Sequence, residues 1–169
     1  KPAGPPPTVG PGEGAESVEA VVKQMQTAAL AGKGAQVMSV IYPTDRGEYA
    51  QGITMAMAFM TRGNLSDEKA TEALQKELDT FFAKHKVKPP FMREPEELFK
   101  GVDVKAFVSE AFAFIKSHAK KGDKPADILP VPQGKPENVK IDGDAATAML
   151  SGKEVNFSKI GNRWFIRLK

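Results

Sequence analysis

Along residues 138–168, apolar and polar positions fall into four short runs, separated by the dipeptides Asp142-Gly143, Ser151-Gly152 and Gly161-Asn162. Such dipeptides supply the positive φ angles that two-residue hairpin loops need, so they predict an antiparallel meander. Residues flanking each loop pair across it and share a face of the sheet. A loop at Asp142-Gly143 sets Val139 opposite Ala146. A loop at Ser151-Gly152 sets Ala148 opposite Val155 and Ala146 opposite Phe157, and one at Gly161-Asn162 sets Phe157 opposite Ile166 and Lys159 opposite Trp164. The three loops together gather Val139, Ile141, Ala146, Ala148, Leu150, Val155, Phe157, Trp164, Ile166 and Leu168 on one face. A one-residue slip would turn a strand's apolar set to water. The other face carries Lys140, Thr147, Met149, Glu154, Asn156, Ser158, Arg163 and Arg167, with Phe165 as its one large apolar exception.

Upstream, the hydrophobic period changes to that of helices. Ser17 precedes Val18, Val21, Val22, Met25, Ala28 and Ala29, a capped amphipathic helix ended by Gly32 and Gly34. Residues 35–42 predict two further turns stopped by Pro43. Asp45, with Glu48 three residues on, reads as the cap of a helix over 46–62. That helix is apolar on most sides, which predicts a central position. Ser66 caps the next, over 67–86, with the stripe Ala70, Ala73, Leu74, Leu78, Phe81 and Phe82. Pro95 opens a short helix stopped by Gly101, and Asp103 caps a last one through Ala119 that Gly122 ends. No internal repeat is evident. Residues 123–136 hold four prolines and read as an extended crossing, pinned by Ile128 and Leu129. The expected fold class is α+β: the helical N-terminal two-thirds packed on one face of a C-terminal four-stranded antiparallel meander. The expected organisation is a flexible Pro/Gly tether over 1–16 and a single domain over 17–169, with helices in 17–120, the crossing at 123–136 and the sheet at 138–168.

Composition narrows the function classes. The 169 residues are 41% hydrophobic and 27% charged, the balance of a soluble globular domain. A net charge of +3, with lysines scattered among acids, argues against a nucleic-acid partner. The basic runs Lys84, Lys86, Lys88 and Lys120, Lys121, Lys124 fall at helix ends, where they complement the dipole. The chain has no cysteine, which removes disulfides and thiolate chemistry. No apolar run has the length of a transmembrane segment. A Pro/Gly-rich opening that starts at Lys1 suggests an exported protein (periplasmic, secreted or lipid-anchored), with a cytosolic linker as the alternative.

Residues that could carry chemistry are few. His85, between two lysines on a polar helix end, reads as a solvated residue. His118 continues the inward face of its helix and reads as a half-buried histidine bonded to backbone, or as an acid/base or ligand contact. Tyr42, Asp45, Arg46 and Tyr49 surround a helix entry and would rim a pocket if helix and sheet splay apart. Met57, with Met55, Met60 and Phe59, would line an adaptable apolar pocket or pack in the core. Arg163 and Trp164 on the last strand complete the candidate set. Glu94, Glu96 and Glu97 read as charges at a helix start, and Asp142-Gly-Asp144 as a hairpin rather than a calcium loop. No catalytic residue, cofactor or metal is expected.

The stretch VEAVVKQMQTAALAGKGAQVMSVIYPTDR and the ending VNFSKIGNRWFIRLK resemble the two ends of NTF2-like domains, cone-shaped α+β folds related in shape to cystatins. The resemblance implies helices wrapped on a curved sheet with a pocket between them. Residues 46–120 read as helical where that family has an early hairpin, so no family site residue carries over. The expected function is a non-catalytic binding or interaction domain for a small apolar ligand or a protein partner, with a homodimer also open. The alternative is a small-molecule enzyme with a pocket between helices and sheet, using His118 with Asp45 or Arg163.

Overall fold

The computed structural model describes residues 7–60, 68–118 and 129–168. They form an α+β fold of six helices followed by an antiparallel sheet. The helices are α1 (Val18–Leu30), α2 (Gly34–Ser39), α3 (Arg46–Met60), α4 (Glu68–Lys84), α5 (Pro95–Leu98) and α6 (Val104–His118), with a 3-10 turn at Pro43–Asp45 ahead of α3. The strands β1 (Glu137–Asp142), β2 (Ala145–Leu150), β3 (Lys153–Ile160) and β4 (Arg163–Arg167) pair in sequence order.

α1 forms where the pattern places it, and Ser17 Oγ accepts from the Ala20 N–H at 3.1 Å. Its six stripe residues are all buried. α1 lies on β4, α2 packs between α1 and α6, and α6 carries α3, which carries α5. The last two hairpins have the expected register, with Phe157 opposite Ile166 and Lys159 opposite Trp164. Phe157 and Trp164 enter the same core as the α1 stripe.

Several expectations are corrected. The first hairpin turns one residue late: Gly143, at φ 58°, takes the first loop position, so Ile141 pairs with Ala146. Glycine there suits a loop that needs positive φ at its start. The register also shifts between Glu137 and Lys140, where Asn138 has φ 52°. β1 extends past the helical cover, which leaves Ile141 63% exposed. Phe165, the exception on the polar face, is fully buried. Gly14 lies directly over it, since a Cβ built there would come within 2.6 Å of its ring. Tyr42 meets the same ring edge-on at 6.2 Å.

The end of the expected tether is part of the packed body. Ala15 is buried and exchanges two backbone hydrogen bonds with Trp164, at 3.0 and 2.7 Å. Beside it, Ile166 donates to the Val40 carbonyl and accepts from the Tyr42 N–H, both at 2.9 Å. These two segments seal the free edge of β4, which would otherwise present unpaired backbone. Of the expected crossing, Leu129 and Val131 are buried, and Gln26 Nε2 donates to the carbonyls of Pro132 and Gly134. Ile128, Ser66, Gly122 and the run at 120–124 lie outside the described residues.

Two helices depart from their patterns. α3 buries Tyr49, Ala50, Ile53, Thr54 and Met57 but leaves Phe59 half exposed, so it is not enveloped. α4 fully buries only Leu78, Phe81 and Phe82; Ala70 and Ala73 face solvent. Alanine offers too little area to draw that first half of α4 onto the body.

Candidate functional site

Five of the eight sequence candidates meet in one polar seam where residues 13–15, the 3-10 turn and β4 converge. Asp45 is 2% exposed. It does not cap α3. Its carboxylate accepts from Arg167 Nε at 2.8 Å, the Leu168 N–H at 2.9 Å and Thr44 Oγ1 at 2.9 Å. The Arg167 guanidinium also lies 4.2 Å from the centre of the Tyr42 ring, a cation–π contact. Arg46 pairs with Glu13 at 2.9 Å, and Lys105 reaches the same carboxylate from α6. Arg163 donates to the carbonyls of Glu13 and Gly14, at 3.2 and 2.7 Å. Trp164 joins the seam through its backbone pairing with Ala15, and its ring carries Lys159 Nζ at 5.6 Å.

Burial pushes the Asp45 and Glu13 carboxyls up, yet both sit below their ordinary values. For Asp45 the bonds from Arg167, Leu168 and Thr44 outweigh burial; for Glu13 those from Arg46, Gly10 and Lys105 do. Each charged group of the seam is spent on a neighbour. It works as a clasp that fastens residues 13–14 and the end of β4 to the 3-10 turn and the first residue of α3.

Tyr49 and Met57 are core residues. The Tyr49 hydroxyl has no hydrogen-bond partner among the described residues, and burial pushes its phenol above the ordinary range. Replacing an unpaired buried hydroxyl removes its desolvation cost, so Tyr49→Phe should raise unfolding free energy by about 1 kcal/mol in urea titration.

The two histidines lie on the α4–α6 seam. His118 Nε2 lies 2.9 Å from Glu77 Oε2, away from Asp45 and Arg163, which are otherwise engaged. His85 is not solvated as expected: its side chain is 10% exposed, faces Phe81 and Phe107, and reaches Glu110 at 3.1 Å. The aromatic neighbours shield the ring despite its lysine flanks. Lys84 takes the same carboxylate, holding Glu110 below its ordinary range.

A concavity lies on the helical side. A groove of about 610 Å3 runs between the outer face of α3 (Met55, Ala58, Phe59), α4 (Leu78, Phe82, Ala83) and the residues 87–92. Phe59 is 50% and Met92 79% exposed at its rim. Gln51 holds the 87–92 wall in place by donating to the carbonyls of Phe91 and Arg93, at 2.8 and 2.6 Å, and the Phe91 ring meets Phe82 at a tilt, 4.8 Å between centroids. Polar groups are sparse: Gln75 bonded to Asp79, and Lys88 at the edge. A second depression of about 510 Å3 lies between residues 129–133 and the sheet rim, with Lys153, Glu154 and Arg167 among its walls.

The methionine–phenylalanine cluster was the sequence signal for the first groove, but it split. Met55 and Phe59 line the groove, Met57 points to the core and Met60 packs beside it. Leu78 and Phe82 of α4 read in sequence as part of a packing stripe, and the wall at residues 87–92 had no local signature. Among the described residues, no cluster of His, Asp or Glu is placed to hold a metal ion, and no helix is long and apolar enough to cross a membrane. Comparison with protein-family models, curated proteins and solved structures returns no match to this chain.

Proposed function

We propose that this domain is a non-catalytic binding module for a small apolar molecule, seated in the groove between α3, α4 and residues 87–92. One observation carries the reading: a preformed concavity of about 610 Å3 with exposed Phe59 and Met92 at its mouth. That volume lies within the ~300–1,000 Å3 of small-molecule sites, which are mostly apolar with few polar groups. An enzyme needs an acid, base or nucleophile facing bound substrate. Asp45, Arg46 and Arg163 are instead spent in the clasp, and His118 meets Glu77 outside the groove lining. The NTF2-like resemblance would put the pocket between helices and sheet; the groove lies between helices, so the reading rests on the groove.

The test is fluorescence titration with an uncharged naphthylamine probe. Phe59→Asp places a carboxylate in the apolar wall and should weaken binding by about tenfold or more. At an exposed position its stability cost should stay near 0.5 kcal/mol. Unchanged affinity in the variant would move the site elsewhere; no binding by the wild-type protein would end the proposal.

A further inference from the structure

The two edges of the sheet are finished differently. Along β4, Ala15 pairs with Trp164 and Ile41 with Ile166, so that strand has neighbours on both sides. β1 is the other outer strand, and every residue of it except Val139 is exposed. Among the described residues no bridge lies along its outer side. Ile141 is 63% exposed there. A free edge of this kind is a template for another strand.

Backbone geometry says which groups the edge offers. Asp142 and Ala145 flank the two-residue loop and bond to each other, so Ile141, one position back, turns its N–H and carbonyl away from β2. Regular pairing stops at Asn138, whose φ is 52° and where the register with β2 shifts. The usable edge is therefore residues 139–142, Val-Lys-Ile-Asp. Alternation puts Lys140 and Asp142 on one face and Ile141 between them on the other. Both charged residues are exposed, and neither forms an ion pair among the described residues.

We propose that β1 is an interface between two copies of this chain, which add antiparallel about a two-fold axis at Ile141 and join their sheets. An isologous contact must be self-complementary. Centred on Ile141, it lets the two Ile141 residues exchange both backbone bonds and brings their exposed side chains together. The same register places Lys140 of each copy opposite Asp142 of the other. Centring on Lys140 or on Asp142 sets like charges face to face, which opposes pairing. Centring on Val139 runs the second copy across the irregular backbone at Asn138. The charges thus choose the register, while the backbone bonds and the covered isoleucines hold the pair. No residue of 139–142 lines the groove, so the inference stands independently of the ligand reading.

A contact of this length falls below the ~1,200 Å2 of standard-sized interfaces, so the dissociation constant should be on the order of 10–100 μM. Sedimentation equilibrium of the whole chain from about 5 μM to 1 mM spans that range. Lys140→Asp opposes two carboxylates at each end of the contact, and Asp142→Lys opposes two ammonium groups. Each variant alone should dimerise about tenfold more weakly or worse. Mixed in equal amounts, the two should recover wild-type affinity as a heterodimer, because every opposed pair again has opposite charges. Both positions are exposed, so circular dichroism of the variants should match the wild type. A wild-type protein still monomeric at about 1 mM overturns the proposal. So does a dimer that tolerates both charge variants, since its contact lies off β1. A loss that mixing fails to restore also overturns it, since that rules out the register centred on Ile141.

Discussion

Asp45→Ala should lower the unfolding free energy by about 3 kcal/mol in urea titration at pH 7, because it leaves the Arg167 guanidinium without its carboxylate. The Leu168 N–H and the Thr44 hydroxyl lose their acceptor in the same step. The pH dependence has a fixed sign. Bonds from Arg167, Leu168 and Thr44 outweigh burial and hold the Asp45 carboxyl below its ordinary value. Its contribution is therefore full above the unfolded value of about 4 and is lost as pH falls through the folded value below it. Glu13 acts in the same direction through Arg46, Gly10 and Lys105. The wild-type protein should lose stability steeply below about pH 4, and Asp45→Asn should show a shallower loss. Equal acid slopes for the two would mean that the clasp does not tie this carboxylate to stability.

Gly34→Ala should cost about 3 kcal/mol, and Gly34→Val more. Gly34 opens α2 where that helix crosses α6, and a Cβ there would sit 2.5 Å from the Val108 carbonyl oxygen and 2.9 Å from Ser109 Cα. Those atoms are helix backbone, so relief requires moving α6 rather than turning a side chain. Gly52 is the internal control. It lies within α3, and among the described residues its Cβ would meet only Pro130, at an ordinary 3.7 Å. Gly52→Ala should stabilise by up to about 1 kcal/mol, since alanine favours a helix interior over glycine. Thermal and urea unfolding of the two variants should therefore move in opposite directions. Similar losses in both would remove the close α2–α6 crossing as the cause.

The same glycine shows where sequence reading stops. Gly34 reads in sequence as part of the end of α1, but Gly32, at φ 71°, follows the last turn of that helix and Gly34 opens α2. Its closer constraint comes from α6, which lies far along the chain. Asp45 was misread for a related reason. An acid ahead of a helical run is the local signature of a cap, but Arg167 and Leu168 compete for the carboxylate and are invisible from residues 45–48. His85 looked solvated between two lysines until Phe81, Phe107 and Glu110 closed around it. The groove was half legible. Met55 and Phe59 advertised apolar surface on α3, but nothing local said that residues 87–92 would form the opposite wall.

Periodicity, caps and turn residues act within a few positions, so the chain alone determined α1 with its buried stripe, the Asp103 and Ser17 caps, and two of the three hairpin registers. These features depend on backbone dihedrals and on the alternation of side chains, both of which are written in consecutive residues. The β4 edge seal, the Asp45 clasp, the Glu77–His118 contact between α4 and α6 and the apolar groove were decided only by tertiary packing. Each needs groups from distant segments to meet with matched charge or shape, and that match is a property of the assembled layers rather than of any one stretch of chain.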